Sequence, residues 1–209
     1  MTTFYEKNNM EEKIIRTAKK VFIEKGYIET SMSEIAARVG INRSGLHYYF
    51  RTKEKMFQAV FGDIVSSIIP KVLEIMVQKE KPISNRIEEI VDAYYLLFTE
   101  NPHLPMFVIR EMNRDASLLI ETVKQMDFQA ILGNMQSSLQ EEMDEGKLKR
   151  IPFRFLFYNL YGLMVMPFLT QDITNSILLE ENETFTEMLD KWKPYIISQL
   201  EKLLSNSID

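Results

Sequence analysis

Cysteine is missing from all 209 residues, which excludes disulfide bridges, thiolate nucleophiles and zinc sites built on thiolates. Histidine is nearly missing: only His47 and His103 occur, far apart in the chain. No glycine-rich phosphate loop, nucleophile elbow or metal-spaced His/Glu cluster is found. An enzyme is therefore not expected, although so acidic a chain leaves a carboxylate-only site open, and neither a cofactor nor a metal is expected. Long apolar runs are lacking as well. The longest, Phe155 to Leu169, contains Asn159, Gly162 and Pro167 and is too short for an easy membrane span. The leading MTTFYEKNNMEEK has no apolar stretch of the kind a signal peptide carries. A cytoplasmic protein with no membrane partner is the expectation.

What is present is helical. Strand-like alternation of useful length does not occur, whereas apolar residues recur at i, i+4, i+7 and i+8, as in Ile14, Ala18, Val21 and Phe22. Hydrophobic residues make up 45% of the chain, ample for a core, and the length admits one large or two modest domains. The net charge of -5 divides unevenly. Residues 1–61 hold 11 Lys/Arg against 7 Asp/Glu, and the remainder holds 14 against 23. A local cationic end on an acidic body suits contact with a polyanion through that end alone.

The stretch TSMSEIAARVGINRSGLHYYFRTK, Thr30 to Lys53, explains that end. Ser31 and Glu34 have capping-box spacing, so a helix starts after Ser31, with Ile35, Ala36 and Val39 inward. Gly40 permits the positive φ that ends a helix. Ile41 plugs the turn, Asn42 caps the next helix, and Leu46 points back into the core. Thr52 caps a further helix. Close contact at Ala36, a turn at Gly40 and a plug at Leu46 are the packing pattern of a helix-turn-helix. Of Tyr48, Tyr49 and Phe50, the phenylalanine belongs to the core. The two tyrosines cannot both face inward on one helix, so at least one offers its hydroxyl outward.

Glu24, Gly26, Tyr27, Thr30, Ser31, Ile35, Ala36, Gly40, Ile41, Leu46, Phe50 and Lys53 together resemble the DNA-binding domain of the TetR/AcrR transcriptional regulators, over roughly the first quarter of the chain. His47 stands where that family usually has tyrosine, and Ser44-Gly45 reverses its commoner order, so the operator sequence is not implied. The resemblance implies an all-α protein: a three-helix helix-turn-helix DNA-binding domain, residues 1–52, followed by a larger helical effector-binding and dimerisation domain, residues 53–209. By position and resemblance, Arg43, Ser44, Gly45 and His47 are the candidates for base edges. Thr30, Ser31, Ser33, Tyr48, Tyr49 and Lys53 are the candidates for phosphates. Lys13, Arg16, Lys19 and Lys20, on the outer face of a helix expected over Glu11 to Lys25, fit a solvated face as well as phosphate contact.

One such domain reads few base pairs, so two copies must sit at major grooves roughly 34–36 Å apart or a multiple of that, on a palindromic double-stranded DNA operator. A helix over 153–169, apolar nearly all round, and the last helix are the candidates for a homodimer interface: Phe153, Phe157, Leu160, Tyr161, Met164, Phe168, Met188, Trp192 and Tyr195. The same helix also fits a central core position. Family members hold a small-molecule effector in an apolar pocket with a few placed polar groups. The polar residues that interrupt apolar stripes are Tyr94, His103, Arg110, Asn113, Gln125 and Asn159. Elsewhere, helix 4 is expected to continue past Pro70 with a bend, one long helix to run from Ser117 to Glu145, and an acidic loop to cover Gln171 to Asn182. The expectation is a ligand-responsive regulator, a repressor released by an apolar or amphipathic effector. A regulator with no small-molecule effector and a helical interaction module without DNA binding are the alternatives.

Overall fold

The structure, a computed structural model, describes residues 2–205, with side chains from Asn8 onward. The leading stretch read for a signal peptide therefore lies partly outside the described side chains. Eleven α-helices and one π-helical turn account for the elements among these residues: α1 (Thr2–Glu29), α2 (Met32–Val39), α3 (Arg43–Tyr49), α4 (Lys53–Met76), α5 (Ile83–Glu100), α6 (Leu104–Arg114), α7 (Ala116–Gln125), α8 (Phe128–Asp144), α9 (Phe153–Leu169), α10 (Gln171–Ile173), the π-turn Thr174–Leu178, and α11 (Phe185–Leu204). No described helix is long and apolar enough to cross a membrane.

The elements pack as two units. The first comprises Met1–Ser67 with Met106–Phe128, and the second Ile68–Pro105 with Gln129–Asp209. The 52/53 division expected above marks the start of α4. The packing division falls later, inside that helix, and the first unit recruits most of α6 and all of α7.

In the first unit, α2 packs on α1 and α3 on α2. Ile14, Ala18, Val21 and Phe22 of α1 are fully buried, with Ile35 and Leu46. Side-chain caps set the boundaries. Ser31 Oγ accepts the Glu34 amide at 3.1 Å. The reciprocal half of the expected box does not form, because the Glu34 carboxylate is held by Lys25 at 2.7 Å and Arg38 at 2.9 Å. Gly40 closes α2 at φ 85°, a left-handed conformation that a Cβ would strain, and its amide returns to Ala36 and Ala37. Asn42 Oδ1 caps α3 by accepting the Gly45 amide at 2.7 Å, and Thr52 Oγ1 caps α4 by accepting that of Lys55 at 3.2 Å. Gly26, at φ 79° and ψ 175°, breaks α1 just after the expected end at Lys25.

In the second unit, α5, α9 and α11 pack against one another. A reciprocal capping box of Thr184 and Glu187 starts α11. Trp192 Nε1 donates to the Leu163 carbonyl at 3.1 Å, joining α11 to α9. Two expectations are corrected. The single helix over Ser117 to Glu145 is broken at Asp127, which takes a positive φ of 54°, so α7 and α8 are separate. The acidic loop is helical as far as Leu178.

Candidate nucleic-acid interface

The helix α3 is short, and its exposed face follows from one anchor. Leu46 is fully buried and Phe50 closes the far end inside the core. With the 3.6-residue repeat this leaves Arg43, Ser44, His47 and Tyr48 exposed. Tyr48 is 68% exposed, whereas Tyr49 is half-buried with its ring edge-on to that of Tyr48 at 5.2 Å. Asn42 to Tyr49 thus lies at the surface, where it can enter a groove.

Gly45, assigned above to base contact, is spoken for. Its amide is committed to Asn42 Oδ1, and a Cβ at this position would stand 3.1 Å from that oxygen. Its smallness lets the cap close. Thr30, assigned to phosphate, is only 2% exposed, and its hydroxyl donates to the Gly26 carbonyl at 2.7 Å. It ties down the break in α1 and does not reach a phosphate. Ser31 and Ser33 are exposed at the start of α2. Accepting the Glu34 amide leaves the Ser31 hydroxyl proton available for donation.

Lys53 is half-buried. Its Nζ donates to the Ile28 carbonyl at 3.1 Å and lies 4.5 Å from the centre of the Tyr27 ring. Burial holds its pKa below the usual lysine value, partly offset by the nearby Glu54 carboxylate. Arg51, exposed between α3 and Lys53, was not among the expected contacts; its position between the recognition helix and the α4 cap is the signal that would have found it. Most of the other cations of this unit are engaged. Lys13 Nζ donates to the Val39 carbonyl, Lys19 pairs with Asp63, and Arg38 bridges Glu24 and Glu34. Among the described residues, only Lys19 on the outer face of α1 is paired with a carboxylate, and Arg16 and Lys20 stay exposed there, while Arg43 and Arg51 carry exposed positive charge on and beside α3.

The residues assigned to an effector do not converge. Tyr94 is buried, edge-on to Tyr161 at 6.3 Å, and burial raises the pKa of its hydroxyl. His103, Arg110, Asn113, Gln125 and Asn159 are exposed. The Asn113 and Asn159 amides donate to carbonyls one turn back, and Gln125 pairs with Glu121. Arg110, Asn113 and Gln125 belong to the first unit, and Tyr94, His103 and Asn159 to the second. Two other groups of the second unit are more telling: the Tyr95 hydroxyl and Ser138 Oγ are buried with no hydrogen-bond partner. No periodicity marks them, since Tyr95 follows Tyr94 and Ser138 follows another serine.

The residues assigned to a dimer interface separate by burial. Met164 and Phe168 are buried within the second unit and cannot touch a second copy. Phe153, Leu160, Tyr161, Met188 and Trp192 are half-buried, and Phe157 and Tyr195 are exposed. Phe155, Tyr158 and Met166 are also exposed, at about half to two-thirds of their surface, and were not named. They stand at helical spacing on α9 with the exposed Gly162, so a helix apolar nearly all round is covered on only one side by its own unit.

Residues 14–60 match the family described as bacterial regulatory proteins, tetR family. The "Probable HTH-type transcriptional regulator YttP" of Bacillus subtilis is 25% identical over 178 residues, covering 82% of this chain and 83% of that protein. A TetR family transcription regulator from Marinobacter aquaeolei superposes with a TM-score of 0.72 at 14% identity, over 97% of this chain and 99% of the other. A transcriptional regulator FadR from Bacillus subtilis, solved in complex with stearoyl-CoA, superposes with a TM-score of 0.67 at 18% identity, over 90% and 97%.

Proposed function

We propose that this chain, whose residues 14–60 match the tetR family and which is 25% identical to a probable HTH-type transcriptional regulator over most of both chains, is a TetR-family regulator: a dimeric repressor of the cytoplasm that leaves a palindromic operator when a small molecule binds its second unit. The observation that carries the reading is the exposed face of α3, set by fully buried Leu46. Arg43, Ser44 and His47 are proposed to read base edges. Ser31, Ser33, Tyr48, Tyr49, Arg51 and Lys53 are proposed to hold phosphates. Arginine meets guanine O6 and N7 in the major groove, whereas hydroxyls and ammonium groups fix register without reading sequence.

The exposed stripe of Phe155, Tyr158 and Met166, with Phe157 and Tyr195, supports a second copy packing on α9 and α11. An apolar surface of this kind, rimmed by polar residues, is typical of an interaction site. For the effector, the FadR structure was solved with stearoyl-CoA. The partnerless hydroxyl of Tyr95, whose ring lies edge-on to Phe168 at 6.0 Å, and the partnerless, buried Ser138 hydroxyl fit a molecule with a long apolar part and a few acceptors. A second reading, a regulator without a small-molecule effector, is favoured by the buried Met164, Phe168, Tyr94 and Phe98, which fill the interior themselves.

The test is a gel shift on DNA from the chain's own upstream region, followed by titration with fatty acyl-CoA of increasing chain length. Retardation of that DNA over a scrambled duplex, reversed by one chain-length range, is expected. No retardation removes the regulator. Retardation that no acyl-CoA reverses removes this effector class.

A further inference from the structure

The first unit contains a polar cluster that takes no part in the surface of α3. It begins at Gly26. Because the positive φ there breaks α1, the following amide, that of Tyr27, turns away from the helix and donates to Glu111 Oε1 on α6 at 2.9 Å. Glu111 is 1% exposed. A buried carboxylate is costly unless it is matched, and this one is: Arg114 Nε donates to its other oxygen, and Arg110 Nε lies 3.6 Å from the first.

The cluster extends further. The Arg114 guanidinium lies 4.0 Å from the centre of the Tyr27 ring, a cation–π distance. The Tyr27 hydroxyl donates to Glu54 in the first turn of α4 at 2.6 Å, and Lys53 of the same turn donates to the carbonyl of Ile28. Beneath, Phe107 of α6 packs on Phe57 of α4 at 6.0 Å. One carboxylate on α6 thus holds the connection that leads into the Ser31 cap of α2. Through Tyr27 it also holds the turn that follows α3.

We propose that Glu111 is a positioning residue for DNA binding: it fixes the two flanks of the helix-turn-helix without touching DNA. The proposal rests on the reading of α3 as the helix that enters DNA. A contact array of this kind tolerates displacements of roughly half an ångström before recognition suffers. Loosening either flank therefore weakens binding while every phosphate contact remains chemically intact.

The experiment uses the full chain and a duplex of its own upstream region, with a scrambled duplex as control. Glu111→Ala is expected to lower affinity for the upstream duplex by about tenfold, to leave the slope of log affinity against log salt unchanged, and to speed amide exchange from Tyr27 to Ser31. Glu111→Gln, which keeps an oxygen for the Tyr27 amide, is expected to recover most of the affinity. Tyr27→Phe, which cuts only the link to Glu54, serves if Glu111→Ala does not fold, and is expected to weaken binding severalfold with the fold retained. Unchanged affinity in the folded Glu111→Ala protein overturns the proposal, as does a salt slope altered by a whole contact. If Glu111→Ala does not fold, unchanged affinity in Tyr27→Phe overturns it. A wild-type chain that ignores both duplexes removes the regulator reading itself, whereas a binding wild type with an equally binding variant removes only the role of Glu111.

Discussion

Arg86 grips Glu142 through two hydrogen bonds of 2.8 and 2.6 Å, and both side chains are sealed from solvent. The same guanidinium donates to the Met76 carbonyl at 2.8 Å, so it ties α5, α8 and the end of α4 together within the second unit. A pair of this kind is expensive to break from one side. Glu142→Ala is expected to cost about 3–5 kcal/mol, because it strands a buried guanidinium. Replacing both partners, Arg86→Met with Glu142→Leu, is expected to be close to neutral. Urea unfolding of the three proteins checks this, and an additive loss in the double variant would contradict it.

Gly26→Ala is expected to destabilise the first unit by about 1–3 kcal/mol, the usual cost of a side chain in a backbone region that only glycine occupies readily. A Cβ there would also stand 2.5 Å from the Arg110 guanidinium. Arg110→Ala in the same chain should relieve the collision and leave the backbone strain. Denaturant midpoints of the single and double variants separate the two contributions.

Alkaline pH should find the Tyr27 link. Burial, together with its hydrogen bond to Glu54, pushes the Tyr27 hydroxyl up to about 12 from an ordinary 10. A raised pKa means that the folded state favours the protonated phenol. Its contribution is therefore full below pH 10 and is lost as pH rises from 10 through about 12. Tyr27→Phe should melt less steeply with pH across that window than the wild type. Parallel melting curves would remove the coupling.

Two substitutions on the proposed DNA face should fail differently. Arg43→Ala is expected to relax preference at one operator position at a cost of about 1–3 kcal/mol. Lys53→Ala is expected to weaken all duplexes alike and to reduce the salt slope by about 1. Affinities over a set of single-base variants at several salt concentrations distinguish them. Equal losses of Arg43→Ala on every base variant would take Arg43 off the list of readers.

On α9, burial separates two kinds of apolar residue. Tyr158, 67% exposed, and Met166, 57% exposed, should tolerate charge in the isolated protomer. Tyr158→Glu with Met166→Lys is therefore expected to dissociate the proposed dimer in sedimentation while keeping the helical content. Met164→Ala, at a fully buried position, should cost about 2–5 kcal/mol of stability and leave association intact.

The helix-turn-helix was legible almost to the residue, because its boundaries are written in local chemistry. Ser31, Gly40, Asn42 and Thr52 are caps or turns whose partners lie within four residues. Thr30 was misread although its partner, the Gly26 carbonyl, is also only four residues away: that carbonyl is turned toward the threonine by the conformation of the glycine backbone, which residue type alone does not give. The break at Asp127 was missed for a related reason: an aspartate in a left-handed conformation carries no helix-ending signature in its type alone. The exposed apolar stripe of α9 was half legible. Periodicity shows that α9 is apolar all round, but which side its own unit covers depends on α5 and α11, elements distant in the chain. The polar residues offered for an effector were the least legible in placement, since interrupting an apolar stripe marks a polar side chain without saying whether it points inward.

Fully buried Phe107 and nearly sealed Glu111 and Leu119 belong to the first unit although they follow α5 in the chain. A fragment ending at Ser67 would strip a wall from Phe57 and leave the Tyr27 amide unanswered. The DNA-reading end of this protein is thus not a detachable head. Truncation, domain transplantation and fusion designs that sever the chain within α4 should yield a sticky, loosely packed peptide rather than a miniature binder.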